Sequence, residues 1–424
     1  MGFKTTRDQY SPALFDVAQD ITGALPVRLV ERWLSTGQGP RDARDLLEPF
    51  KVRGYSVSSD ASGLTELSGR KSLIDILAIL NQTKEIVYGY GAAIGGQGVG
   101  VWAADNTQMF YPPAVSAETL VSAMLTVQDE IEKRCQIKIG LGAHHGEFYS
   151  ISGGLYGVEA DAIEEIAEND IAGGEIVITQ ALLDLLPEAH AFTAVKRDED
   201  STVVGSLYRI VAGPRLSGVL PSKERYPIPY SEQFHGELTA YAAALHDAEL
   251  GARIMERYTQ SKVVVIIDRE SKPDESYEVD LLGNMALSAF MKDVAMRHLS
   301  GHDGAEIKVV GPLSIYVFDA AAAALGFARD FSADLTRQDV SCRIGIEAGP
   351  LVIFDLPTGG RDIAGQPVNI ASKIAHDKGK PGHVYLSHAM KDLVDVSGFT
   401  EIRLSVAGIE MIAYEQCVNF IEVK

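Results

Sequence analysis

Cysteine is scarce in this sequence, and a long apolar run is missing altogether. The 424 residues hold 3 cysteines, Cys135, Cys342 and Cys417. They form no Cys-x-x-Cys pair, so neither a disulfide framework nor a cysteine zinc site is expected, and a reducing cytoplasm is the simplest setting. No stretch nears the ~20 apolar residues that span a bilayer. The longest β-type run, Val263–Ile267, has the length of a strand. The opening residues lack the apolar core of a signal peptide. Positive charge is short as well: 38 Lys and Arg against 58 Asp and Glu give a formal net charge of −20. Such a surface repels phosphate backbones and anionic lipid, which argues against nucleic acid or a membrane surface as partner. A nucleotide's phosphates would need local help from metal ions. What is present is a globular composition, 46% hydrophobic and 23% charged, with length for two or three domains.

Along the chain, residues 1–49 read as a helical segment, with apolar residues at three- and four-residue spacing over Ser11–Ile21 and Pro26–Leu34. Residues 50–213 alternate strand and helix patterns. Residues 214–260 form a linker, first turn-rich with Pro214, Pro221, Pro227 and Pro229, then one expected helix over Ser231–Tyr258. From residue 261 to 424 the texture of the first half returns. Placing Asp60 over Asp268 brings the elements into step. Leu141-Gly-Ala-His-His-Gly146 then meets Ile344-Gly-Ile-Glu-Ala-Gly349, and Gly174–Thr179 meets Gly382–Ser387. The spacing predicts two related domains of interleaved strands and helices.

Several segments of this repeat resemble class III nucleotide cyclases. Asp60-Ala-Ser-Gly-Leu-Thr65 is similar to that family's D-I-x-G-F-T turn, and Ala104-Asp105 stands where its second metal aspartate lies. Lys308-Val-Val-Gly311 resembles K-x-x-G-D with Pro312 in place of the Asp. Asp362-Ile-Ala-Gly-Gln-Pro-Val-Asn-Ile-Ala-Ser-Lys373 resembles D-x-x-G-x-x-V-N-x-A-x-R, and Lys380–Ser387 the family's K-P-G-x-I-x-L-S. The resemblance implies two ferredoxin-like α/β (α+β) domains with mostly antiparallel sheets flanked by helices, paired within one chain, so that a monomer suffices. It implies a phosphorus-oxygen lyase in which a nucleoside 3′-hydroxyl attacks the α-phosphate and pyrophosphate leaves.

The roles it implies are unevenly distributed. Asp60 and Asp105 would hold two divalent cations, Mg²⁺ or Mn²⁺, with Ser62, Gly63, Leu64 and Thr65 forming the substrate turn. The plainer reading is that Asp60 caps a helix and Asp105 sits in a hairpin turn. Lys308 would donate to a base acceptor and Asp362 accept from an amino group. That pattern suits adenine, hence ATP, although cytosine offers a similar pair, and an ordinary salt bridge is the plainer alternative. Asn369 and Lys373, four apart on one helix face, would orient the ribose and stabilise charge on the α-phosphate. Lys373 replaces the family's Arg, keeping the charge but losing the bidentate fork. A further lysine of the family, expected near Ile409, is not there. In the mirror arrangement Val101, Gly154, Asp161 and Glu165 replace Lys308, Asp362, Asn369 and Lys373. One composite site is therefore expected to survive and its mirror to be degenerate. The expected activity is a cytoplasmic adenylyl cyclase making cyclic AMP. The alternatives are a cyclase for a pyrimidine nucleotide and a silent nucleotide-binding sensor or scaffold.

Overall fold

The computed structural model describes residues 25–64, 67, 70–102, 105–189, 191–269, 276–310, 313–356, 360–375, 379–406 and 409–418. The expected helix Ser11–Ile21 and the residues Thr65 and Pro312 lie outside them. The chain divides into two compact units, one running Leu47–Ala252 and the other joining the residues up to Leu46 with Arg253–Lys424.

In the Leu47–Ala252 unit the elements are β1 (Lys51–Ser62), α3 (Leu73–Ala93), β2 (Gln97–Gly98), β3 (Thr107–Tyr111), α4 (Ala117–Arg134), β4 (Lys138–Ile151), β5 (Gly154–Tyr156), α5 (Val158–Asn169), β6 (Ile176–Thr179), α6 (Gln180–Leu183), β7 (Thr193–Lys196), β8 (Leu207–Ala212) and α7 (Glu232–Ala243). The other unit has α1 (Val27–Leu34), with α2 (Pro40–Leu47) ending at the boundary. It continues, after α8 (Ala248–Tyr258) crosses that boundary, with β9 (Thr259–Arg269), α9 (Tyr277–Leu299), β10 (Gly304–Val310), β11 (Leu313–Phe318), α10 (Ala321–Thr336), β12 (Cys342–Asp355), β13 (Arg361–Ala364), α11 (Gln366–Lys373), β14 (His383–Ser387), β15 (Thr400–Val406) and β16 (Ile409–Cys417).

Each unit carries one eight-stranded sheet among the described residues, and the two orders match. They run β2-β3-β1-β4-β6-β8-β7 and β10-β11-β9-β12-β14-β16-β15, with β5 beside β4 and β13 beside β12. Pairing is antiparallel except β4 with β6 and β12 with β14. The expected repeat of mostly antiparallel, helix-flanked sheets is thus present. Central β9 explains the unbroken apolar run: Val263–Ile267 is buried on both faces. Helices start where hydroxyl caps stand. Ser72 forms a capping box with Asp75 ahead of α3, and Ser116 and Ser231 cap α4 and α7. The expected single helix over Ser231–Tyr258 is instead two. Leu245 and His246 adopt left-handed backbone (φ 53° and 61°), and a helix cannot run through two such residues. The His246 ring is held 2.8 Å from Asp75 Oδ1, which anchors the break. Among the described residues no helix is long and apolar enough to cross a membrane.

Candidate active site

In the Leu47–Ala252 unit the strand register brings two carboxylates together. Thr107 pairs with Ser59, and their hydroxyls lie 2.6 Å apart in a buried contact. The hairpin therefore returns the chain so that Asp105 stands beside Asp60, both half-buried. The consequence is electrostatic. Burial first, then the Asp105 charge, then that of Glu168, push the Asp60 carboxyl up from 3.8 to about 7. Burial also raises Asp105, opposed by its own N–H and by the Lys84 ammonium. Glu164 on α5 is raised by burial and by the charges of Asp161 and Glu168, and accepts from Asn106 Nδ2 at 3.4 Å. Two crowded carboxylates of this kind suit a hard divalent cation, which would relieve their repulsion. Among the described residues no group of three or more His, Cys, Asp or Glu is arranged to hold a metal alone. The two residues could hold an ion such as Mg²⁺ or Mn²⁺ only with other groups completing its shell. Past Asp60, Ser62 ends the strand, and Gly63 takes φ 85°. Its carbonyl accepts from the Leu67 N–H at 3.0 Å, so Ser62, Gly63 and Leu64 form a tight strand-to-helix turn.

The second cluster lies in the other unit. Lys308 Nζ, on β10, reaches Asp362 Oδ1 at 2.9 Å and Oδ2 at 3.0 Å. Asp362, on β13, is buried at 4% exposure, and its Oδ1 also accepts from the Ile363 N–H at 2.9 Å. The ion pair named as the plainer alternative therefore exists, and it is also a ready-made donor beside an acceptor. Asn369 and Lys373 follow on α11. Gly365 makes the turn into that helix at φ 148°. Gly345 lets it approach, since a Cβ there would stand 2.1 Å from the Ala371 carbonyl. Asn369 is exposed and Lys373 half-buried.

The mirror positions are accounted for by register. Gly157 opens α5 at φ 147° as Gly365 opens α11, so Asp161 and Glu165 fall at the places of Asn369 and Lys373. Ile151 pairs with Gly154 as Phe354 pairs with Asp362. Val101 differs: it lies in a loop past β2, whereas Lys308 is within a strand. The equivalence of those two holds in sequence and not in backbone.

Sequence reasoning missed Arg343. Asp60 faces Gly140 across the sheet, but its counterpart Asp268 faces Arg343, whose Nη1 lies 3.4 Å from Asp268 Oδ2. A guanidinium thus pairs with Asp268, the counterpart of Asp60 in the repeat. The signal was available, since the repeat alignment sets Arg343 over Gly140. Lys84, Glu164 and Glu168 carried no such signal, because only folding brings them near the carboxylates.

No family model matches the chain, and no curated protein matches it. Solved structures similar to it are class III cyclase domains and a cyclase-like protein. One is a class III adenylyl cyclase-like ATP-binding protein from Pseudomonas aeruginosa, 13% identical over 81% of this chain and 85% of that one, with a TM-score of 0.49. Another is the adenylyl cyclase CyaB of the same organism, 16% identical over 40% and 98%, TM-score 0.34. A third is the guanylyl cyclase domain of the RhoGC fusion protein from the aquatic fungus Blastocladiella emersonii, 20% identical over 37% and 97%, TM-score 0.31. At these identities the likeness is one of fold alone.

Proposed function

We propose that the chain is a metal-dependent nucleotide cyclase that converts ATP to cyclic AMP and pyrophosphate in the cytoplasm. In this reading one unit supplies the metal-holding carboxylates and the other the base- and ribose-holding groups. The observation that carries it is the division of parts. Asp60 and Asp105 crowd together in the unit lacking base-reading groups, while Lys308 and Asp362 stand paired where the metal aspartate is neutralised by Arg343. Loss of parts by chance would not sort them so cleanly.

The divalent cations, when bound, supply Lewis acidity to the attacking and leaving oxygens. The chain's own groups do the rest. Lys308 has three protons and engages Asp362 with at most two, so one remains for the N1 acceptor of adenine. Asp362 keeps lone pairs for the N6 amino group, and guanine presents the opposite pattern at both positions. Asn369 would hold the ribose so that its 3′-hydroxyl lines up with the α-phosphate. Lys373 would balance charge that grows there in the transition state. The backbone of Ser62–Leu64 would face the phosphates.

The test is direct. Pure protein incubated with each of the four nucleoside triphosphates and Mn²⁺ should yield cyclic AMP from ATP. A folded protein that gives no cyclic product from any of them overturns the reading, and product from CTP would move it to a pyrimidine cyclase. Lysine at 373 favours a second reading, a silent nucleotide-binding sensor. Nucleotide binding without turnover, unchanged by Lys373→Arg, would support that one.

A further inference from the structure

The hairpin that carries Asp105 is gripped from a distant part of the chain. Lys84, on α3, is 2% exposed, and its ammonium donates to the Trp102 carbonyl at 2.5 Å. It also lies 6.0 Å from the centroid of the Tyr226 ring. The Trp102 ring stacks on Tyr226, with centroids 5.6 Å apart and planes at 17°, and meets the Tyr88 ring edge-on. The Trp102 N–H donates to the Pro227 carbonyl at 3.1 Å, and its indole N–H to the Val99 carbonyl at 3.1 Å.

The segment Pro221–Tyr230 thus lies as a strap along α3 and the loop. Ser222 N–H donates to the Gly89 carbonyl at 2.8 Å. The Tyr226 hydroxyl donates to Asn81 Oδ1 at 2.6 Å and lies 3.2 Å from that of Tyr230. A Cβ on Gly98 would stand 2.7 Å from Pro227, so the strap rests on bare backbone. A buried ammonium is a costly way to fill space, because an apolar residue of that size would pack without desolvation. Its return here is placement: the loop is fixed by a backbone carbonyl three residues before Asp105.

We propose that Lys84, Trp102 and Tyr226 are positioning residues that hold the chain at Val99–Trp102, so that the linker strap sets where the second metal carboxylate, Asp105, stands. The inference rests on the proposed metal role of Asp60 and Asp105. The chain's passage from its first half to its second is thereby tied to the site, and a pull on the strap would be read as a change in metal affinity.

The test compares unaltered protein with Tyr226→Leu, Lys84→Met and the milder Tyr226→Phe, each checked for folding by circular dichroism. Mn²⁺ binding is read by electron paramagnetic resonance without nucleotide, and the Mn²⁺ activation constant from turnover. Tyr226→Leu should weaken Mn²⁺ by about tenfold, as loss of outer-shell support does; Lys84→Met also removes a cation beside Asp105, which by itself favours Mn²⁺, so its loss should be smaller. Tyr226→Phe, which keeps the stack and loses the hydroxyl's bonds with Asn81 and Tyr230, should cost less, about two- to threefold. Binding of a fluorescent ATP analogue without metal should stay unchanged. Mn²⁺ affinity equal within twofold in folded variants overturns the proposal, as does unaltered protein that takes up no Mn²⁺. If Lys84→Met does not fold, the Tyr226 pair decides. Intact, strap-sensitive Mn²⁺ binding with no cyclic product would sink the cyclase reading and leave the positioning role standing.

Discussion

Changing Asp105 to Asn removes one charge next to Asp60 with little change in shape, and the outcome can be worked out beforehand. Asp60 is raised from 3.8 to about 7, with burial the largest cause and Asp105 the next. The shift favours the protonated form in the folded chain. Burial persists in the variant, so the carboxyl should fall without returning to its ordinary value. The folded chain holds this proton more tightly than the unfolded chain. Stability from this group is therefore full at low pH and declines as pH rises from about 4 through about 7. Asp105→Asn should flatten that decline. Mn²⁺ competes with the same proton, so it should raise the melting temperature more at pH 8 than at pH 6. The assay is a carbon-13 titration of the aspartate carboxyls in metal-free protein, with Asp60 assigned by its own Asp60→Asn variant. An Asp60 that titrates near pH 4 in the unaltered protein, or one that does not move in Asp105→Asn, refutes the coupling.

Three further outcomes are expected. Lys308→Met leaves the buried Asp362 carboxylate with the bond from the Ile363 N–H and without its counter-charge, and urea unfolding should show a loss of about 2 kcal/mol, partly regained in the double variant with Asp362→Asn. Burial works against ionised Asp75, but hydrogen bonds from Ser72, His246 and Tyr241 outweigh it and hold the carboxyl near 2. Its contribution is present above about pH 4 and lost as pH falls toward 2, so Asp75→Asn should blunt the acid sensitivity of the melting temperature. Lys373→Arg should raise cyclic AMP formation several-fold at an unchanged KM if the residue acts only in the transition state, and a raised KM with the same kcat would speak against that role.

Much of the fold could be read before folding was seen, because its signals are local or repeated. The run Val263–Ile267 marked a strand, and the ordered recurrence of Leu141–Gly146 and Ile344–Gly349 marked a second related domain. The closeness of Asp60 and Asp105 followed from a resemblance, and the physical cause is the Ser59–Thr107 register. What stayed hidden depends on contacts remote in sequence. Propensity alone runs a helix through Leu245 and His246, and the bond from His246 to Asp75, 171 residues away, supplies what the local pattern lacks. The strap is hidden for the same reason. Four prolines announce a linker but not the face it follows, and nothing near Trp102 signals a stack with Tyr226. Arg343 was visible in the alignment, yet an arginine in a strand acquires meaning only once its cross-strand neighbour is known to be Asp268.

The division of the chain has a consequence for its biosynthesis. Leu47–Ala252 is continuous, whereas the other unit needs Val27–Leu34 from one side of it and everything after Arg253 from the other. As the polypeptide leaves the ribosome, the inner segment can complete itself first, since domains fold as units in order of emergence. Helix α1 must wait, apolar face uncovered, until α9, on which it packs, has been translated more than 200 residues later. A ribosome that stalls midway would therefore leave a finished inner body trailing an orphaned amphipathic helix, the kind of exposed surface that chaperones bind.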